Sequence, residues 1–170
     1  MAFIKDNSNS VISFADYGDV QATDQRLFEA NEGLTDTIVR EILVRATDRI
    51  LTQIKYSDWY RDLYLRTTTN PEFRNRVDVP DVDPNRVLAR LADFTDLTVF
   101  YALYYYILPK IADFSKEDNS ERAKIAYYQQ KYQQLWEELI NTGDWYDIQG
   151  SGSVTAYEKL PGNFRLHRTR

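Results

Sequence analysis

At 170 residues and a formal charge of −5, the chain has the length for one domain with a full hydrophobic core, with or without a tail. Its 43% hydrophobic and 28% charged residues are ordinary globular values that argue against wholesale disorder. The absence of cysteine rules out a disulfide framework and thiolate chemistry and favours a reducing compartment, while a single histidine, His167, disfavours a His-based triad or a multi-His metal site.

The first fifteen residues contain no continuous apolar run of the secretory kind. They read as an extended arm, with Phe3, Ile4, Val11, Ile12 and Phe14 separated by the polar, turn-rich run Lys5 to Ser10. A first helix is expected from Asp16 or Asp19 through Val20 to Ala30, stopped at Gly33. Thr35 then caps a second helix, with Leu34 and Val39 spaced as a hydrophobic staple. Along it Val39, Ile42, Leu43, Ala46, Ile50 and Ile54 recur on one face, opposite Arg40, Glu41, Arg45, Asp48 and Arg49.

Ser57 or Asp58 caps a short third helix, Trp59 to Arg66, that turns Trp59 and Leu63 inward. Residues 67–84 carry Pro71, Pro80 and Pro84 and read as a connection. Asp83-Pro84 is a cap and first-turn pair for a central helix from Asn85 to Phe114, with Val87, Leu88, Leu91, Phe94 and Leu97 at helical spacing. From Leu97 onward almost every position is apolar or aromatic, yet the run to Leu108 falls short of the roughly 20 residues that span a bilayer. Such a helix must be covered on all sides, by its own domain or by neighbouring subunits. Tyr104, Tyr105 and Tyr106 are consecutive and cannot all face one core, which makes them candidates for a subunit contact. Pro109 ends or kinks this helix.

A last helix is expected from about Ser120 to Ile140, with Ile125, Tyr128, Tyr132, Leu135, Trp136 and Leu139 on one face and Gly143 as its stop. The fold class is therefore all-α: a small bundle of about five helices at 16–143, an N-terminal arm at 1–15 and an extended C-terminal segment at 144–170.

Two stretches of the C-terminal segment bear on chemistry. Asp147 to Glu158 follows the spacing of an EF-hand loop, with Asp147, Gln149, Ser151, Ser153 and Glu158 at ligand positions and Gly152 at the sharp turn. Only two of these are carboxylates and no exiting helix follows, so the loop makes a weak calcium site at best, and a turn of the same shape without the ion is the simpler reading. Beyond it, residues 159–170 carry four basic groups and no acid, which leaves −9 on residues 1–158. An acidic body disfavours duplex nucleic acid as the main ligand, whereas a basic end suits an acidic protein surface. The acid pairs Asp16/Asp19, Asp93/Asp96 and Glu137/Glu138 read as caps and solvated helix faces rather than acid–base catalysts.

The run Phe14-Ala15-Asp16-Tyr17-Gly18-Asp19-Val20, followed by Leu27 to Thr35 and the helix Ile38 to Ile54, has a familiar layout. So do Gln134-Leu135-Trp136-Glu137-Glu138-Leu139-Ile140-Asn141-Thr142-Gly143-Asp144-Trp145-Tyr146-Asp147 and the arginine-bearing end. Together they resemble the head–tail connector, or adaptor, proteins of tailed bacteriophages. The resemblance implies a helical bundle with no enzymatic activity and no cofactor, assembled in the host cytoplasm and located in the virion neck. It implies a ring, usually of about twelve copies, bound to the portal protein, with a tail-side neck or terminator protein beyond it. DNA would pass through the channel without sequence-specific binding, and no membrane is involved. Carried over by position, Asn163 to Arg170 would be the portal-embracing segment, with Phe164, Arg165, Leu166, His167, Arg168 and Arg170 as the portal-binding residues. Independently of the resemblance, Tyr104, Tyr105 and Tyr106 suit contacts with neighbouring copies in a ring. The alternative from the residues alone is a cytosolic helical protein-interaction module with a weak calcium loop.

Overall fold

The computed structural model describes residues 3–30, 33–68, 79–112 and 120–159. Helix accounts for 65% of it, and the sheet among the described residues has two strands, so the protein is all-α. The chain divides into two compact units, Met1–Ile50 with Arg90–Glu137 and Leu51–Ala89 with Glu138–Arg170. No helix among the described residues is long and apolar enough to cross a membrane.

In the first unit the N-terminal stretch is extended, as its composition suggests, and it is paired. Strands β1 (Ile4–Lys5) and β2 (Val11–Ser13) run antiparallel. The polar run between them closes the hairpin because Asp6 Oδ1 accepts the amides of Ser8 and Ser10, each at 2.8 Å, while Asn9 takes a left-handed φ of 62°. The hairpin delivers Phe14 into the core, where its ring meets Phe3 and Phe94. Burying that residue strands its peptide groups, and two threonines satisfy them. Phe14 N donates to Thr47 Oγ1 at 3.2 Å, and Thr95 Oγ1 donates to Phe14 O at 2.8 Å.

Helix α1 (Tyr17–Thr23) opens with a capping box. Tyr17 N donates to Asp16 Oδ1 at 2.7 Å, and Asp16 N donates to Asp19 Oδ2 at 2.8 Å. The single helix expected to Ala30 is broken at Asp24 (φ −140°, ψ 77°), and α2 (Gln25–Ala30) follows. The break turns the buried Asp24 carboxylate toward Lys124 Nζ, at 2.8 and 2.7 Å, and the Tyr128 hydroxyl, at 3.3 Å. Helix α3 (Asp36–Tyr56) buries all six residues of its expected apolar face. At about 1.5–3 kcal/mol per large aliphatic side chain, that stripe is a main source of stability.

The central helix begins six residues later than the sequence suggests. Asp83 caps only a single 3-10 turn, Pro84–Arg86, after which Val87 turns extended and forms an antiparallel bridge with Tyr146. Val87 and Leu88 are therefore not on a helix face, and α5 runs Leu91–Tyr101 from a left-handed Arg90. Through Ala102–Ile107 the helix widens to π geometry and then closes as α6 (Leu108–Ile111). Pro109 explains the widening: it offers no N–H to the carbonyl four residues back, and its ring would crowd that carbonyl in an α register. Helix α7 (Ser120–Thr142) matches its expected span and ends at Gly143, which has φ +59°. With α5, the π turn and α6 counted as one rod, the described residues hold six helices.

In the second unit, α4 (Asp58–Thr67) starts from Ser57, whose hydroxyl accepts the amide of Tyr60. It buries Trp59, Tyr60 and Leu63. Trp59 packs on Trp145 at 4.4 Å between ring centroids, and Trp145 Nε1 donates to Leu139 O at 2.8 Å. The connection 67–84 is described only at its ends, where Val79 and Val82 are buried.

Candidate functional site

The π turn in the first unit displays the three consecutive tyrosines differently. Tyr104 and Tyr106 are half-buried and Tyr105 is 52% exposed, whereas Tyr101 just before them is buried. Tyr101 is the hub: its ring lies 5.3 Å from Tyr104, 5.2 Å from Tyr105, 5.9 Å from Tyr106 and 5.2 Å from Tyr132. Tyr132 in turn stacks on the half-buried Trp136 of α7 at 6.2 Å. The Arg49 guanidinium hydrogen-bonds the Tyr101 hydroxyl. Burial pushes the Tyr104 phenol up to about 12, with the charges of Tyr101 and Tyr105 adding to it. Tyr101 is raised as well, chiefly by burial, with the Arg49 hydrogen bond opposing the rise. Large rigid rings with polar tips are the composition of protein–protein contact surfaces.

The second unit contains a cavity of about 320 Å³ walled by Tyr60, Tyr64, Pro80, Tyr146 and Ile148, with Thr67, Asp81, Asp83, Arg86 and Gln149 among its polar lining. Its floor is an ordered polar chain. The Tyr60 hydroxyl donates to the carbonyl of Asp81 at 3.5 Å, and Asp83 N donates to Tyr146 Oη at 3.1 Å. Arg86 is held by Asp83 at 3.6 Å and by the carbonyl of Ile148. Burial raises both phenols, Tyr60 further through the neighbouring Tyr146 charge. No sequence motif marks this cavity, because its residues come from α4, the proline-rich connection and the chain after α7.

The calcium-like loop folds as a turn whose acids bind backbone. Asp147 Oδ1 accepts Ser151 N at 3.1 Å and Oδ2 accepts Gly152 N at 2.7 Å. Glu158 accepts Gln149 N at 3.2 Å, and Thr155 N and Oγ1 at 2.7 Å each. Both carboxylates are buried, while Gln149, Ser151 and Ser153 are exposed. Among the described residues no cluster of three or more His, Cys, Asp or Glu side chains is arranged to hold a metal ion. The expected portal-binding residues Phe164, Arg165, Leu166, His167, Arg168 and Arg170 lie outside the described residues.

The chain matches no family model, no curated protein and no solved structure.

Proposed function

We propose that this is a structural virion protein that joins the portal of a tailed-phage head to the tail. The observation that carries the proposal is the aromatic surface around Tyr105, an exposed ring stacked on a cluster of tyrosines beside an exposed arginine, Arg49. A ring subunit needs such a side face for each neighbour, because a head-to-tail interface repeats the same contact around the axis. The basic end from Phe164 to Arg170 supplies the other requirement, a cationic segment that reaches an acidic surface of the portal. The acidic remainder repels DNA phosphates and so suits a channel that DNA passes through without being held. In this reading the protein is not an enzyme, sits in the neck of the virion and assembles in the host cytoplasm.

Electron microscopy of the full chain mixed with a tailed-phage portal protein tests this. Rings of the chain stacked on portal are the expected result. A chain that leaves portal particles bare over a range of concentrations and salt overturns it.

A further inference from the structure

The connector reading makes no use of the tyrosine-walled cavity in the second unit. Its volume, about 320 Å³, is at the lower end of the range that receives a ligand or a large side chain. Its interior is aromatic, and carboxylates stand in its lining. Asp81 gives one oxygen to Lys55 at 2.7 Å, yet its side chain remains 92% exposed. An aromatic interior beside an exposed carboxylate fits a peptide that carries an aromatic residue followed by a cation.

The path of the chain specifies which peptide is at hand. The Tyr157 hydroxyl donates to the carbonyl of Arg66 at 2.9 Å, one residue before Thr67 in the cavity lining. The carboxylate of Glu158 holds the amide of Gln149, itself a lining residue, at 3.2 Å. These contacts pin the chain to the edge of the cavity at 157 and 158. Residues 160–170, fully extended, span up to about 36 Å. They contain Phe164-Arg165, an aromatic residue followed by a cation, within six positions of the pinned Glu158.

We infer that this cavity is the receptor for the chain's own basic end, with Phe164 filling the aromatic interior and Arg165 meeting Asp81. The tether is short, so the local concentration of the segment is in the millimolar range and a weak contact suffices to hold it. The inference goes beyond the connector reading, since it concerns the free chain whatever the segment binds later. Its consequence is competitive: a partner that needs the basic end must draw it from the cavity, and its apparent affinity falls by the fraction of time the segment is held.

The chain has no cysteine, so an introduced pair is the only source of thiols. In the full-length chain, Thr68→Cys at the cavity lining is combined with His167→Cys, and disulfide formation under mild oxidation is followed by non-reducing electrophoresis and mass. The expected result is an intramolecular bond that forms at least about tenfold faster in the folded protein than in the same chain in denaturant. Adding Phe164→Ala or Asp81→Lys should bring the rate most of the way back to the denatured value, with the far-ultraviolet spectrum unchanged. Equal rates in folded and denatured chain overturn the inference, as does a folded rate indifferent to both substitutions. A disulfide that joins two chains instead also overturns it, and shows that the cavity takes the end of a second copy.

Discussion

Gly143 lies so close to Trp59 that a Cβ on it would stand 2.3 Å from the indole Nε1. The ring cannot swing away cheaply, because it is buried and packed on Trp145. Gly143 also ends α7 at a positive φ of 59°, a conformation that disfavours any residue with a Cβ. Gly143→Ala should therefore cost about 2–4 kcal/mol, from left-handed strain together with the clash, measured as a shift of the urea midpoint at unchanged slope. A loss below about 1 kcal/mol would mean that the indole has room the structure does not give it.

The pairing of Asp24 with Lys124 makes a second, asymmetric prediction. The carboxylate is 6% exposed and the lysine 35% exposed, so the two partners differ in what removal leaves behind. Lys124→Met strands a buried negative charge whose remaining partner is the Tyr128 hydroxyl, at a cost of about 3 kcal/mol. Asp24→Asn leaves a lysine that can turn to water and an amide that can still bond Tyr128, at about half that cost. Chemical denaturation of the two variants checks the order; the reverse order would show that the carboxylate is better hydrated than its burial indicates.

Helix α3 is legible from sequence because its apolar residues need only the 3.6-residue repeat, and burial follows that repeat at every expected position. The break at Asp24 is not legible, since the groups that favour it lie 100 and 104 residues away. The late start of α5 has a similar cause. Asp83-Pro84 is a sound cap signal, but the chain spends it on one 3-10 turn and then pairs Val87 with Tyr146. Three consecutive tyrosines do announce that one must face outward, and Tyr105 does. The cavity lined by Tyr60, Asp83, Arg86 and Tyr146 joins segments that share no local pattern, so only the fold reveals it.

The raised phenols fix the sign of the alkaline response. Burial raises Tyr60, Tyr101, Tyr104, Tyr128 and Tyr146 above the ordinary value of 10, Tyr104 to about 12. In the unfolded chain these groups ionise near 10, so above that pH the unfolded state loses protons that the native state retains. Stability is then full below pH 10 and falls as pH rises from 10 through the folded values. Absorbance of phenolate near 295 nm should show a subset of the 13 tyrosines titrating late in the native protein and all of them near 10 in denaturant. A single native transition near 10 would contradict the packing of these rings.

For the loop after α7, the structure predicts independence from calcium. Asp147 and Glu158 receive backbone amides at ligand-like spacing, so the turn is closed by hydrogen bonds that a cation would have to displace. Chelator should leave the melting temperature unchanged, and millimolar calcium should release no heat in calorimetry. Asp147→Ala removes two amide–carboxylate bonds at a buried site and should cost about 3 kcal/mol. A melting temperature that rises with calcium would show the ion competing successfully with the amides.

Tyr101 and Tyr105 are stacked at 5.2 Å, yet the structure assigns them opposite roles. Tyr101 is buried at the hub of the aromatic cluster, so Tyr101→Ala opens a cavity in the first unit and should cost about 3–5 kcal/mol of stability. Tyr105 is 52% exposed and stacks on that hub from outside, so Tyr105→Ala should move stability by less than about 1 kcal/mol. If the aromatic surface is the side contact of a ring, the exposed residue carries binding energy in place of folding energy. Tyr105→Ala should then weaken self-association at least about tenfold, since a central aromatic anchor is commonly worth more than 1.4 kcal/mol. Sedimentation of the assembled form against urea denaturation of the single chain separates the two effects. Unchanged assembly by a stably folded Tyr105→Ala protein would remove this surface from the ring contact, and with it the observation on which the connector reading rests.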